Sequence, residues 1–329
     1  LHKQQMVAIT FHFRSRQSIM EFRKQHHEQQ EPDHLNIHWD TLTICQLNCS
    51  YCYARNEYGE KWGKLMSKDL IDRCVEAFGR SPLSFNLGLL GGEPTLHPHF
   101  DYIIEKVSAL KNNQKIYVTT NGYKDLTQVE KRDNVAYLFS YHPADIVDEE
   151  LFFRNVQACM DRGIQTKVNV MLHHDKNLWE KIRNTIHRLL DMGAKVHPHF
   201  LYTHSSRKLF KYRAEFWDYF KFLETEIPKE LVYDDQMFND YEIFKDGMTV
   251  FTGMHCWNNN YEVDVYGNVV QFCKDRVNDG SNLERDPNYF ARIGQTNPMV
   301  CPHSACNCDG LLKQLKIMNP TVEELNGVN

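Results

Sequence analysis

The chain reads as an α/β protein built on a parallel sheet. Three observations predict this. From residue 35 onward, short apolar runs alternate with longer stretches of helical periodicity. The alternation repeats six times and stops near residue 224. The two loops richest in reactive or small residues each follow a strand-like run directly, at the end where ligands gather in such sheets.

The elements follow in order. Strands are expected at 37–44, 85–90, 116–119, 136–140, 166–171 and 196–201, and helices at 68–79, 99–111, 124–131, 150–162, 178–192 and 208–223. The first strand runs into Cys45-Gln-Leu-Asn-Cys49-Ser-Tyr-Cys52, and the second into Gly91-Gly92-Glu93-Pro94. The third ends in Thr119-Thr-Asn-Gly122, and the fourth lies in Ala136-Tyr-Leu-Phe-Ser-Tyr-His-Pro143. The fifth carries Asn169, and the sixth carries His197 and His199, which share a face because side chains repeat every two residues. Right-handed crossovers place the helices on the outer face and curl the sheet into an open or closed layer.

Composition sets the bounds. With 329 residues, 42% hydrophobic and 25% charged, the chain can bury one large core and a smaller appendage. A formal charge of −5 gives no basic surplus for a nucleic-acid partner. No apolar run approaches the roughly 20 residues that cross a bilayer, and no signal-peptide pattern is visible in the first residues given. Residues 1–34 are polar and rich in His and Gln, apart from the alternating Met6-Val-Ala-Ile-Thr-Phe-His-Phe13. They read as a strand and linker arm.

The ten cysteines are unevenly placed. Cys45, Cys49 and Cys52 form a CxxxCxxC run, Cys74 and Cys159 stand alone in helical segments, and Cys256, Cys273, Cys301, Cys306 and Cys308 crowd the C-terminal part. That is metal-ligand clustering rather than a disulfide framework, and it implies a reducing, cytoplasmic compartment. Thiolates select zinc, Cu(I) or iron-sulfur clusters, and a closed zinc site wants a fourth ligand that neither His38 nor His97 supplies at a compact spacing. Three thiolates so close together can hold three irons of a four-iron, four-sulfur cluster and leave the fourth open to a cofactor. No GxGxxG follows a strand, so the glycine pair is not a dinucleotide fingerprint.

After residue 224 the strand–helix rhythm ends. Glu262-Val-Asp-Val-Tyr-Gly-Asn-Val-Val-Gln-Phe-Cys273 reads as a hairpin turning at Gly267-Asn268. Cys256 and Cys273, with two of Cys301, Cys306 and Cys308, supply four ligands for a second cluster, and structural zinc is the alternative. Three units result: an arm at 1–34, a barrel at 35–224 and a cysteine-rich C-terminal domain at 225–329.

The CxxxCxxC loop after the first strand and the GGEP after the second, in that order, resemble the radical S-adenosylmethionine superfamily over about 36–205. The resemblance implies a partial (β/α)6 TIM-like barrel with a small cysteine-rich C-terminal domain. It implies that Cys45, Cys49 and Cys52 ligate a 4Fe-4S cluster whose open iron chelates the amino and carboxylate groups of S-adenosylmethionine. Gly91 and Gly92 would let the backbone approach the methionine amino group, Glu93 would set the turn, and Pro94 would fix the chain direction. Tyr51 would pack on cluster or adenine, unless it is a plain loop aromatic. Asn121, Ser140 and Asn169 fall where the family places residues near the sulfonium, carboxylate or ribose, although Asn-Gly alone is also an ordinary turn signal. His142 is a candidate for proton transfer or anion contact, as are His197 and His199. The C-terminal cysteines resemble the one-cluster twitch form of a SPASM-like auxiliary domain. They lack the seven-cysteine series of the two-cluster form.

The activity so implied is reductive cleavage of S-adenosylmethionine to a 5'-deoxyadenosyl radical that takes a hydrogen atom from a small polar metabolite or peptide. An auxiliary cluster would assist oxidation, and a flavodoxin- or ferredoxin-like donor would supply the electron. If a spare cysteine donates hydrogen instead, the outcome is epimerisation. A zinc-stabilised binding protein without catalysis is the reading from another class. Phe251, Trp257, Tyr261 and the segment Tyr212–Trp217 could line the substrate entrance, although an apolar helical stripe is more often core than pocket.

Overall fold

The structure is a computed structural model that describes residues 34–52, 54, 59–201, 212–224, 253, 255–257, 259–271, 280–294, 298–300 and 316–317. The arm before His34, and Phe251, Cys273, Cys301, Cys306 and Cys308, lie outside the described residues.

Six strands stand side by side in chain order and pair in parallel: β1 (His34–Asp40), β2 (Ser84–Leu90), β3 (Asn113–Thr120), β4 (Val135–Tyr141), β5 (Gln165–Leu172) and β6 (Lys195–Phe200). Their alternation explains the layer. Leu35, Ile37, Trp39, Phe85, Leu87, Leu89, Ile116, Val118, Val168 and Val170 are fully buried on one face, where the helices pack. The intervening positions, among them His38, Asn169 and His197, occupy the other face. This is a partial (β/α)6 TIM-like barrel with an apolar outer seam and a polar concave face.

Helices α1 (Lys68–Gly79), α2 (Phe100–Ser108), α3 (Glu149–Asp161) and α4 (Trp179–Asp191) lie close to their expected bounds. Ser67 caps α1 by accepting Leu70 N–H at 3.2 Å, and Asp148 caps α3 by accepting Leu151 N–H at 2.8 Å. Ile71, Cys74, Ala77 and Phe78 of α1 recur at helical spacing and enter the core, and Cys159 of α3 does the same. Both isolated cysteines are therefore packing residues.

Three expectations are corrected. The first strand ends at Asp40, not at 44, because Thr41–Thr43 leaves the sheet to pair with the returning chain. Met66 N–H donates to Thr41 O and Thr43 N–H to Lys64 O, each at 2.9 Å. The helix expected at 124–131 is absent. Asp125 there accepts Thr127 N–H at 2.9 Å in a turn. The fully buried Asn155 of α3 accepts Leu126 N–H at 2.7 Å and donates to the carbonyls of Gly122 and Lys124 at 2.9 and 2.8 Å. Backbone groups that a helix would need are thus already engaged. Of the helix expected at 208–223, residues 208–211 lie outside the described residues, Tyr212 and Arg213 are not helical, and α5 covers Ala214–Phe220 before a 3-10 turn at Lys221–Glu224.

Beyond it lie β7 (His255–Trp257), β8 (Asn260–Val263), β9 (Val269–Gln271), β10 (Pro298–Val300) and β11 (Lys316–Ile317). The expected hairpin forms from β8 and β9, with Gly267 at φ 77° in its turn. However, β8 pairs in parallel with β1, so the hairpin extends the barrel sheet to eight strands, in the order β6-β5-β4-β3-β2-β1-β8-β9. Asp264 fixes the turn by accepting the amides of Tyr266 and Asn268, both at 2.9 Å. The same carboxylate pairs with Lys61 at 2.6 Å and ties the hairpin to the loop that follows the first cysteine run. Separately, β7 sits between β10 and β11 in a three-stranded antiparallel sheet.

Replacing Asn155 with Leu keeps the volume and strands one buried N–H and two carbonyls. At about 1–3 kcal/mol for an unpaired buried group, equilibrium urea unfolding is expected to show a loss of about 3 kcal/mol.

Candidate cysteine-loop site at the barrel rim

The loop that carries Cys45, Cys49 and Cys52 is held from the next strand. Gly92 N–H donates to Leu42 O at 2.9 Å and Glu93 N–H to Ile44 O at 2.8 Å, immediately before Cys45. A Cβ on Gly91 would lie 2.1 Å from Leu42 O, and one on Gly92 would lie 2.0 Å from Ile44 O. Gly91 also has φ 113°, a conformation that L side chains rarely adopt. Among the protein's own atoms, the glycines are thus required by contact with the cysteine loop. Glu93 caps the short 3-10 turn Pro94–Leu96 by accepting Thr95 N–H at 3.2 Å, and Pro94 occupies its first position.

The glutamate is the hub of the rim. Only 1% exposed, its carboxylate accepts the hydroxyls of Thr95 at 2.6 Å and Thr120 at 2.7 Å and Asn121 N–H at 2.7 Å. Burial pushes its pKa up against the pull of these bonds. Asn121 continues inward: its Oδ1 accepts Gln46 Nε2 at 2.8 Å, and its Nδ2 lies 3.6 Å from Cys45 Sγ.

The thiols are half-buried at Cys45 and Cys52 and buried at Cys49. Burial pushes Cys45 up to about 11, and the charges of Glu93 and Cys52 act in the same direction. Burial also raises Cys49, and Asp145, Cys52 and Cys45 add to it. The charged groups that act most strongly on both thiols are therefore negative. Soft donors in such a field fit a thiophilic, cationic group, whose charge would reverse the shift and deprotonate them. Among the described residues, no three His, Cys, Asp or Glu side chains are gathered as around one metal ion.

Tyr51 and His142 meet beside Cys49. The Tyr51 hydroxyl and His142 Nδ1 share a hydrogen bond at 2.9 Å, the rings stack with centroids 5.9 Å apart, and Cys49 Sγ lies 3.5 Å from the same nitrogen. Desolvation, with His199 adding to it, holds the His142 pKa at about 4, so the imidazole is neutral at pH 7 and can accept. His173, just beyond β5, is buried, with its ring 5.7 Å from that of Tyr51.

Ser140 and Asn169 are paired in register on β4 and β5, and Asn169 pairs with His197 on β6, so the three share the concave face. The rings of His197 and His199 are 5.6 Å apart. Cys256 is buried on β7, opposite Met299 of β10. Of the aromatics weighed for the entrance, Tyr261, Tyr212 and Phe216 take the core alternative, and the side chain of Trp257 lies outside the described residues. Tyr261 is 5% exposed and packs on Phe290 at 5.7 Å, while Phe216 is 1% exposed and stacks on Tyr212 at 3.9 Å. The Tyr212 hydroxyl donates to Leu172 O at 2.7 Å. Helical spacing points Phe216 of α5 inward, strand alternation does the same for Tyr261 of β8, and Tyr212 packs against the core just before α5.

Gln46, Asp145 and Asn155 escaped sequence reasoning. Adjacency to Cys45 was the one available signal, at Gln46. The other two depend on which loops meet.

Residues 40–203 match the family described as the Radical SAM superfamily. The GTP 3',8-cyclase of Vibrio atlanticus (strain LGP32) is 30% identical over 152 residues, covering 42% of this chain and 45% of that protein. The GTP 3',8-cyclase of Mannheimia succiniciproducens is 36% identical over 89 residues, covering 27% and 26%. The matched chain thus spans less than half the length of these curated relatives. Among solved structures, anSMEcpe with bound AdoMet and Cp18Cys peptide is 14% identical with a TM-score of 0.48, covering 80% of this chain and 84% of that one. Streptococcus suis SuiB is 15% identical with a TM-score of 0.47, covering 77% and 64%.

Gly92→Ala forces a methyl group onto a backbone carbonyl, and overpacking of this kind costs about 1–3 kcal/mol. Chemical denaturation is expected to show a loss near about 3 kcal/mol. Gly294→Ala, whose Cβ meets nothing within 4 Å, is expected to stay within about 0.5 kcal/mol of the parent.

Proposed function

We propose, from the premise that this chain belongs to the radical S-adenosylmethionine superfamily, that it cleaves S-adenosylmethionine reductively and removes a hydrogen atom from a small polar metabolite or peptide. The observation that carries the reading is the backbone lock between Gly91–Glu93 and Leu42–Ile44, which presents three cysteines in one loop at the ends of the strands. Cys45, Cys49 and Cys52 would hold a 4Fe-4S cluster. A cluster held there would supply the low-potential electron that reductive cleavage of S-adenosylmethionine requires.

The protein's own groups orient and exclude. Tyr51 and His142 close one side of the cysteine loop, and the hydrogen bond between them holds the Tyr51 ring beside Cys49. Ser140, Asn169 and His197 offer hydrogen-bonding groups along one face for the polar parts of cofactor and substrate.

A twitch-like auxiliary cluster is part of the proposal, with Cys256 as one ligand and Cys273, Cys301, Cys306 and Cys308 as the remaining candidates. Its support is the register of β10 against β7. Val300, which precedes Cys301 in sequence, stands opposite His255, the neighbour of Cys256. The division into a barrel at 35–224 and a C-terminal domain at 225–329 belongs to the same reading, with the β8–β9 hairpin shared with the barrel sheet. The electron donor would be flavodoxin- or ferredoxin-like. Among the described residues, no helix is long and apolar enough to cross a membrane.

Anaerobic iron, sulfide and zinc quantification, paired with a reductant-dependent assay for 5'-deoxyadenosine, tests this. About eight irons are expected in the reconstituted protein, falling to about four with loss of cleavage in Cys45→Ala/Cys49→Ala/Cys52→Ala. Zinc throughout and no 5'-deoxyadenosine would sink the proposal in favour of a zinc-stabilised binding protein.

A further inference from the structure

The Asn121 carboxamide is oriented from both sides. Its main-chain N–H is held by Glu93 Oε2 at 2.7 Å, and its Oδ1 accepts from Gln46 Nε2 at 2.8 Å and from the main-chain N–H of Tyr123 at 3.1 Å. A backbone amide can only donate, so the atom facing Tyr123 is the oxygen. That leaves Nδ2 directed at Cys45 Sγ, 3.6 Å away. The residue is 9% exposed, and a surface cleft lined by Gln46, Leu47, Tyr123 and His142 adjoins it.

We propose that Asn121 is a positioning residue that donates a hydrogen bond from Nδ2 to the Cys45 thiolate, and that this bond raises the reduction potential of the cluster held by Cys45, Cys49 and Cys52. The inference rests on reading those cysteines as cluster ligands. Reduction adds negative charge to the cluster and its sulfur ligands, and an N–H dipole aimed at one sulfur stabilises the added charge. The surroundings make that donor valuable, since Glu93 and Asp145 act on the thiols with negative charge. Glu93 assists through the main chain. Its four hydrogen bonds, to Thr95 N–H, the two threonine hydroxyls and Asn121 N–H, fix where the strand end presents the carboxamide.

The test uses the full chain, reconstituted anaerobically and measured without S-adenosylmethionine, so that no effect passes through cofactor binding. Iron per chain, the midpoint potential followed by electron paramagnetic resonance, and the coupling of exchangeable deuterons to the reduced cluster are compared in the parent, Asn121→Leu and Asn121→Asp. Asn121→Leu is expected to keep its iron, shift to a more negative midpoint and lose one exchangeable coupling. An unchanged midpoint and coupling at full iron loading would overturn the inference and leave the cluster reading intact. Should Asn121→Leu take up no iron, Asn121→Asp decides, because it keeps an acceptor for Gln46 and Tyr123 but lacks the donor. Loss of the exchangeable coupling in that variant supports the inference, and its retention overturns it. A parent protein that binds no iron would overturn the cluster reading and this inference together.

Discussion

Everything at the rim depends on two strand ends approaching more closely than any side chain allows. Leu42 O and Ile44 O accept hydrogen bonds from Gly92 and Glu93, and the space a Cβ would need at Gly91 or Gly92 is already filled by those carbonyls. The cysteine loop therefore departs from the barrel in a direction set by backbone, not by its own side chains. The constraint also explains why the first strand stops at Asp40. Thr41–Ile44 cannot both continue in the sheet and lie between the returning segment near Lys64 and the glycine turn.

That lock passes into electrostatics through Glu93. A buried carboxylate is costly unless its oxygens are satisfied, and here four donors from three residues satisfy them. One of those residues, Asn121, then reaches Cys45. The chain from β2 to β3 to the cysteine loop is one continuous polar network in a molecule whose opposite face is apolar. On the far side of the loop, Tyr51 and a neutral His142 do the equivalent work against Cys49. The first and second cysteines of the run are thus supported by different strands, which gives the loop a defined shape before anything binds.

The C-terminal part is less separate than its composition indicates. Glu262 pairs in register with His38 of β1, and Asp264 joins Lys61, so the hairpin preceding Cys273 is built onto the barrel. Periodicity shows a break after residue 224 because the strand–helix alternation ends there. It carries no information about which edge a later strand will join, since β1 presents the same unpaired backbone groups to any partner.

Much of the fold was legible from residues alone. Alternating buried positions such as Leu35, Ile37 and Trp39 have a period that only a strand satisfies, and caps such as Ser67 and Asp148 mark helix starts by local chemistry. The cysteine run and the glycine pair were equally legible, because thiolate chemistry and the absence of a side chain are properties of single residues. What the tertiary structure decided is of another kind. The helix expected at 124–131 is lost to Asn155, a residue of a different element; Tyr212, Phe216 and Tyr261 turn inward to the core; and Asn121 becomes a neighbour of Cys45 only because β1 and β3 flank β2. Local sequence determines what each segment can form and which atoms it can offer. The partner of each buried polar group is chosen by contacts far apart in the chain, and those are fixed only when the strands take their order.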